Sequence, residues 1–321
     1  MTRRAGSGSR VAGAARLAIA TILCAVAALH ACARTPGYRT FATPEDAVRA
    51  LAAAVKAGNV DEVAAIFGPE GRELIDTSDP ATARRNREVF TVAATERWRL
   101  EDKGADGRVL VVGNEDWPFP VPIVKDGSAW RFDTAAGKEE ILNRRIGRNE
   151  LAAILICRTY VVAQQVYASR GHDGAPAGVF ATAFRSEAGK ENGLYWPAGR
   201  GARRSPLGDL VARAAEEGTP LGDSAKPAPF HGYYFKILTR QGAAAGGGAK
   251  DYVANGRMSG GFALVAWPSE YDATGVMTFV VNSDGIVREK DLGPETANAA
   301  RQMAAYDPDA SWAPVGAAAR K

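Results

Sequence analysis

From residue 43 onward the chain alternates between stretches of helical period and stretches of period two. Thr43-Pro44-Glu45-Asp46 reads as a helix start, with a capping hydroxyl, a proline suited to the first turn and two acids at the positive end. Val48, Leu51, Ala52 and Val55 then fall on one face before Gly58-Asn59, and a second short helix over 60–67 stops at Gly68-Pro69. Alternating segments at 96–100, 108–112, 120–124 and 129–132 predict strands, with Asp126-Gly127 as a hairpin turn. A helix over 138–146 follows. Asn149 is placed to cap a longer one from 150 to about 169, with Leu151, Ile154, Leu155 and Val162 at helical spacing. Beyond it come Gly- and Pro-rich loops at 171–178 and 195–205, a short helix opened by Ser205-Pro206, and a linker ending at Pro229. Strands are expected at 233–238, 262–267, 276–281 and 286–290, the last two joined by Asn282-Ser283-Asp284-Gly285. Gly242 to Gly248 reads as a flexible loop tip, since no GxxxxGK[ST] spacing exists to make it a phosphate cradle. The pattern is α+β in two domains, 40–147 and 148–321, each with an N-terminal helix or helices packed on an antiparallel sheet. The length of 321 residues agrees with two domains at about 150 residues each.

Charge changes the picture at one end only. Residues 1–16 are basic and acid-free, and Leu17 to Leu29 is an apolar run too short to span a bilayer, which together read as a secretory signal over 1–31. Leu29-His30-Ala31-Cys32 resembles a lipobox, which makes Cys32 the lipidation candidate and 32–39 a tether. Ordinary cleavage after Ala33 is the competing reading. Arg3, Arg4, Arg10 and Arg16 carry the whole formal net charge of +4, so the chain from Cys32 onward is neutral and gives no ground for nucleic-acid binding. The expected location is the periplasmic side of the cell envelope, with the lipid as the only membrane attachment.

Blocks along the chain are similar to a known bacterial family. Trp117-Pro118-Phe119-Pro120, Trp130-Arg131-Phe132-Asp133-Thr134, Arg145 to Leu151, Leu194-Tyr195-Trp196-Pro197, His231 to Phe235 and Gly261 to Pro268 occur in the order of the family called domain of unknown function 2950. That resemblance covers about 40–312. It implies an exported envelope protein of Gram-negative bacteria and carries no assigned activity. In architecture alone, residues 40–135 resemble nuclear transport factor two-like domains, whose cone-shaped cavity holds a ligand in some members. Residues 149–292 are similar in order to type IV pilin and pseudopilin headgroups, but the helix from 150 carries Arg158, Gln164 and Gln165, unlike an apolar filament helix.

Reactive groups are few. Cys157 lies in an apolar helical stretch and reads as a small buried hydrophobe. His172 and His231 are isolated, no HExxH or CxxC spacing exists, and no metal, cofactor or catalytic set is assigned. Gly222-Asp223-Ser224 and Gly256 to Gly260 both miss hydrolase motifs. Three of the six tryptophans precede proline, at Trp117, Trp196 and Trp267, which holds each in extended backbone. With Tyr195 they are candidate contact residues for a glycan or an envelope protein, the competing reading being plugs at sheet ends. Three functions remain open: a non-catalytic binding or assembly role in the envelope, a periplasmic enzyme acting on cell-wall glycan or peptide through His231 and a nearby carboxylate, or a small-ligand cavity in the N-terminal domain.

Overall fold

The structure is a computed structural model, and it describes residues 38–75, 80–197, 203–216 and 228–316. The expected signal, Cys32 and the serine of Gly222-Asp223-Ser224 lie outside these residues. The chain is mixed α+β and divides into two compact units, with the boundary between Glu140 and Ile141.

In the first unit, α1 (Pro44–Lys56) starts where its sequence places it: the Thr43 hydroxyl accepts from the Asp46 N–H at 3.1 Å. Asn59 caps α2 (Val60–Phe67) in the same way through the Glu62 N–H. The pattern assigned no element to the stretch that forms α3 (Gly71–Ile75) and α4 (Pro80–Glu96). α4 carries Arg84, Arg85 and Arg87 and leaves Val89 and Val92 exposed, so its apolar residues do not form one clean stripe. An antiparallel sheet follows, made of β1 (Trp98–Asp102), β2 (Gly107–Val112), β3 (Trp117–Pro118), β4 (Ile123–Asp126) and β5 (Ala129–Phe132). The order is β1-β2-β4-β5, with β3 paired to β2. Asp126 pairs with Ala129 across the expected turn, where Gly127 has φ +62°. Leu51, Ile66 and Phe67 from the helices meet Leu110, Ile123 and Phe132 from the sheet in the core.

The expected break at residues 147–149 is corrected: one helix, α5 (Thr134–Ala168), runs through Gly147, Arg148 and Asn149. Its first turn belongs to the first unit, where the buried Thr134 hydroxyl donates to the Phe67 carbonyl at 2.5 Å. Gly137 allows close packing there, because a Cβ would lie 2.7 Å from Val121. Asn149, read as a cap, is an interior helical residue whose amide donates to the Thr274 carbonyl at 2.9 Å.

In the second unit, α6 (Gly208–Glu216) precedes β6 (Tyr233–Leu238), then β7 (Arg240–Gln241), β8 (Lys250–Asp251), β9 (Val253–Ala254) and β10 (Arg257–Met258) form small ribbons. β11 (Ala263–Pro268), β12 (Met277–Asn282), β13 (Arg288–Asp291), α7 (Thr296–Gln302) and β14 (Ala313–Pro314) complete it. The main sheet is antiparallel in the order β14-β13-β12-β11-β6. α5 contributes Ala153, Cys157, Tyr160 and Tyr167 to its core, together with Phe262 and Phe279. Of the four apolar positions at helical spacing, Leu151, Ile154, Leu155 and Val162, only Ile154 is buried. Leu151, Leu155 and Val162 point to solvent, because the helix is apolar on both sides and periodicity alone cannot choose between them.

The Gly242–Gly248 segment is tied down rather than a free tip. Asp307 accepts from the N–H groups of Ala244 and Ala245, Gln241 donates to the carbonyls of Gly246 and Gly248, and Ala245 is buried.

A continuous α5 has a direct test. A Cβ on Gly147 would meet nothing within 4 Å, and glycine in a helix interior costs about 0.5–1 kcal/mol relative to alanine. Gly147→Ala is therefore expected to stabilise the protein by about that amount in urea titration, whereas a helix broken there would show no gain.

Candidate functional site

The four aromatic contact candidates differ in their surroundings. Trp117 sits on β3, paired with Val112 while Pro118 pairs with Val111, and is 46% exposed. Its ring stands edge-on to Phe119 with centroids 6.1 Å apart, and Phe119 packs in turn against Phe90, Phe132 and Phe67. The preceding residue, Asp116, has φ +55°, and its carboxylate is gripped by Arg97 and Arg99. The Arg97 hydrogen bond, helped by Arg99, holds the Asp116 carboxyl below the usual carboxylate range. Trp117 is thus an indole braced from behind by phenylalanines and from the side by an ion-paired turn.

The other three are interior or half-buried. Trp196 is 6% exposed and donates from Nε1 to the Arg203 carbonyl at 2.9 Å, and Tyr195 is half-buried under the Arg185 guanidinium. Trp267 is 6% exposed on β11, beside Tyr234. It presents no ring face to solvent. The Trp-Pro pattern therefore produces one outward indole and two plugs.

The histidines differ from each other as much. His172 is buried, stacked on Tyr167 at 4.1 Å, with Nε2 against the Tyr167 carbonyl at 3.0 Å and Nδ1 against the Glu191 carboxylate at 3.1 Å. The carbonyl accepts, so Nε2 carries a proton, and both ring nitrogens are spent on fixed partners. Such a ring staples two loops and keeps no lone pair for a substrate. Asp173 and Tyr167 fasten the same loops, through the Glu191 N–H and the Glu191 carbonyl. His231 lies on a turn with φ +47°, its ring centroid 4.3 Å from that of Phe230. Gly232 follows with φ +72°, close against Asn149 and Thr274.

Cys157 is fully buried, and burial pushes its thiol up to about 12, so no thiolate forms near neutrality. Among the described residues no group of three or more His, Cys, Asp or Glu side chains is placed to hold a metal ion. A groove of about 150 Å³ lies between α1 and α4, walled by Ala52, Ala53, Phe90 and Ala94, with Lys56 on its lining. The Thr91 and Thr95 hydroxyls on that groove donate to backbone carbonyls of α4 itself.

Residue-by-residue reading of the sequence passed over the polar groups that organise the second unit. One oxygen of Glu150 accepts from the N–H groups of Val276 and Met277, at 2.9 and 3.0 Å. Gln164, fully buried on α5, donates to the Ala181 carbonyl and accepts from the Ala181 N–H. A glutamine on the inner side of the helix, next to the exposed Gln165, was the one available signal for it.

Burial, reinforced by the Glu150 charge, raises the Glu289 carboxyl above its ordinary range. An acid harder to ionise in the folded state binds its proton more tightly there, so its contribution falls as pH rises from the unfolded pKa through the folded one. Glu289→Gln is expected to raise the thermal midpoint at neutral pH and to flatten this part of the profile. Melting curves of both proteins through the acid range check it. A variant that melts lower at pH 7, with an unchanged slope, contradicts it.

Comparison with known proteins adds a family and no activity. No curated protein and no solved structure matches the chain, and the likeness of residues 149–292 to pilin headgroups is not shown. The model of the family described as "Protein of unknown function (DUF2950)" matches residues 38–315, nearly the whole of the described chain, and the chain belongs to that family.

Proposed function

We propose that this chain is an exported cell-envelope protein, lipid-anchored through Cys32 on the periplasmic side, with a non-catalytic role in binding or assembly. The observation that carries the binding reading is the Trp117 corner: a large exposed indole in a rigid setting, the kind of group that gives contact area at small entropic cost. A flat ring with ion-paired arginines and an aspartate beside it suits a sugar face with its hydroxyls, or a peptide of the envelope. The absence of a catalytic role is supported by how the reactive candidates are used. His172 has both nitrogens engaged, Cys157 is a buried thiol, and Glu150 holds two backbone amides. Support for export is the acid-free basic start followed by the apolar run to Leu29.

The enzyme reading, cell-wall glycan or peptide cleaved with His231 and a carboxylate, draws on the left-handed backbone of His231, a conformation met at functional turns. One assay separates the two. The purified protein is mixed with isolated peptidoglycan sacculi, and both the pellet and the soluble fragments are measured. Co-sedimentation lost tenfold or more in Trp117→Ala, with no soluble fragments released, is the expected result. Fragments that appear with the wild type and disappear with His231→Ala overturn it in favour of the enzyme.

Anchoring is tested apart from binding. Labelled palmitate is expected in the wild-type protein and absent from Cys32→Ala, which then moves from the membrane to the soluble periplasmic fraction. An unlabelled wild type would instead fit ordinary cleavage after Ala33.

A further inference from the structure

We propose that Trp267 and Thr278 hold a buried water molecule between β11 and β12, bound by the indole N–H and the threonine hydroxyl. Trp267 is 6% exposed and Thr278 is fully buried, and among the described residues these are the two side chains with buried polar atoms that meet no protein partner. The register brings them together. Ala266 pairs with Phe279, so the next position sets Trp267 opposite Thr278, in a row flanked by Tyr234 on β6 and Lys290 on β13. Directly opposed residues of an antiparallel pair share one face, with Cβ atoms about 4.5–5.5 Å apart.

Other buried polar groups show what is unusual here. The hydroxyls of Thr134 and Thr296 donate to carbonyls, Asn282 accepts from the Asp284 N–H, and Gln164, Gln241 and His172 are all bonded. The buried indole of Trp196 donates to the Arg203 carbonyl. Threonines on helices find the carbonyl four residues back, as Thr91 and Thr159 do, but a strand offers Thr278 no such neighbour. Flanking side chains do not serve either: the Lys290 ammonium donates to Ser311, and Tyr234 meets the Trp267 ring side by side, with centroids 5.7 Å apart. Lys236, two positions on from Tyr234 and on the same face, is taken by the Arg301 and Met303 carbonyls at the end of α7.

Two neighbouring orphans call for one shared occupant. An indole N–H only donates, and leaving it or a hydroxyl unmet in the interior is costly. A water accepts from the indole and donates to the Thr278 oxygen, and two hydrogen bonds of about 2.8 Å let it join atoms about 4.5 Å apart. The Thr278 hydroxyl proton and the second O–H of the water then fall to strand carbonyls, each of which keeps a second lone pair beyond its ladder bond. Buried waters make about three hydrogen bonds to groups of this kind. A cation does not suit a site where the indole presents a proton and no lone pair. Val265 and Val280, the next residues along the two strands on this face, are buried and apolar, so no further side-chain polar group is offered there to a larger ligand. The inference concerns the interior of the second unit and does not depend on the Trp117 reading.

A crystal structure of the purified full chain, at a resolution that shows ordered water, tests it together with Thr278→Val. A water oxygen within hydrogen-bond distance of both Trp267 Nε1 and Thr278 Oγ1 is expected. Valine keeps the shape of threonine and removes the hydroxyl. With the water bound, Thr278→Val expels it and leaves the indole unmet, so the unfolding constant in urea is expected to rise about tenfold. In a Trp267→Phe background no N–H is left to orphan, and the same change is expected to raise it about twofold or less. The sign reverses for a dry site, where valine removes an unsatisfied hydroxyl and the variant melts above the wild type. That outcome overturns the proposal, as does a crystal in which the indole bonds the hydroxyl directly or in which protein carbonyls take both groups. Thr278→Ser keeps the hydroxyl and is expected to show the same water, whichever way Trp267→Phe folds. A water that persists unchanged in Thr278→Val is not held by the threonine and also overturns it.

Discussion

The turn into β12 depends on a single carboxylate. Val276, just before the strand, and Met277, its first residue, direct their N–H groups at one oxygen of Glu150, in the middle of α5. Left unmet and away from water, each would cost about 1–3 kcal/mol. Around this contact the neighbouring groups fall into order. Asn149 holds the Thr274 carbonyl, the Tyr233 hydroxyl donates to the Met277 carbonyl, and Gly275 must lack a side chain because a Cβ there would lie 2.1 Å from the Tyr233 hydroxyl oxygen. Helix, loop and the two strands β6 and β12 are thereby fixed to one another by groups that all lie within the second unit. The same carboxylate is also part of why Glu289 resists ionisation, so the anchor that orders the strand disfavours a second charge nearby.

This contact also shows why the sequence is legible in some places and not in others. Where a local rule decides, the reading succeeds: Thr43 and Asn59 cap α1 and α2, β5 and β6 begin and end at the residues their alternation predicts, and Asp126-Gly127 makes its turn. Local rules also point to a helix start at Asn149, since Gly147 weakens the helix before it and Asn is a good cap. The outcome is decided at long range, by partners at Thr274, Val276 and Met277, more than a hundred residues away in the chain. No window of sequence contains both halves of that interaction. α4 fails for a different reason, because its apolar residues are divided between the core and the solvent and no single stripe exists to be seen.

Candidate function residues follow the same division. Proline after each of three tryptophans fixes the local backbone alike, yet Trp117, Trp196 and Trp267 end in different surroundings. Trp267 lies on β11, an interior strand of a five-stranded order with β12 and β6 paired on its two sides, whereas Trp117 lies on a two-residue strand paired with β2. A residue on an interior strand of a packed sheet is more readily buried than one on a short edge strand. Sheet order is a property of the whole chain, so the dipeptide could state that each indole is held in place and could not state which one faces water.

Polar residues in the second unit serve mostly to close loops. His172, Glu191, Asp173 and Tyr167 join the segment after α5 to the one before Trp196, and Gln241 with Asp307 shapes the glycine-rich segment. Gln164 does the same for Ala181. Long irregular connections leave many backbone groups without a ladder partner, and buried side chains of this kind satisfy them where no regular element does. A histidine, a glutamine and several carboxylates serve the fold in this way. Among the described residues, the large hydrophobic side chains that stay exposed include Trp117 in one unit and Leu151, Leu155, Val162 and Val166 of α5 in the other.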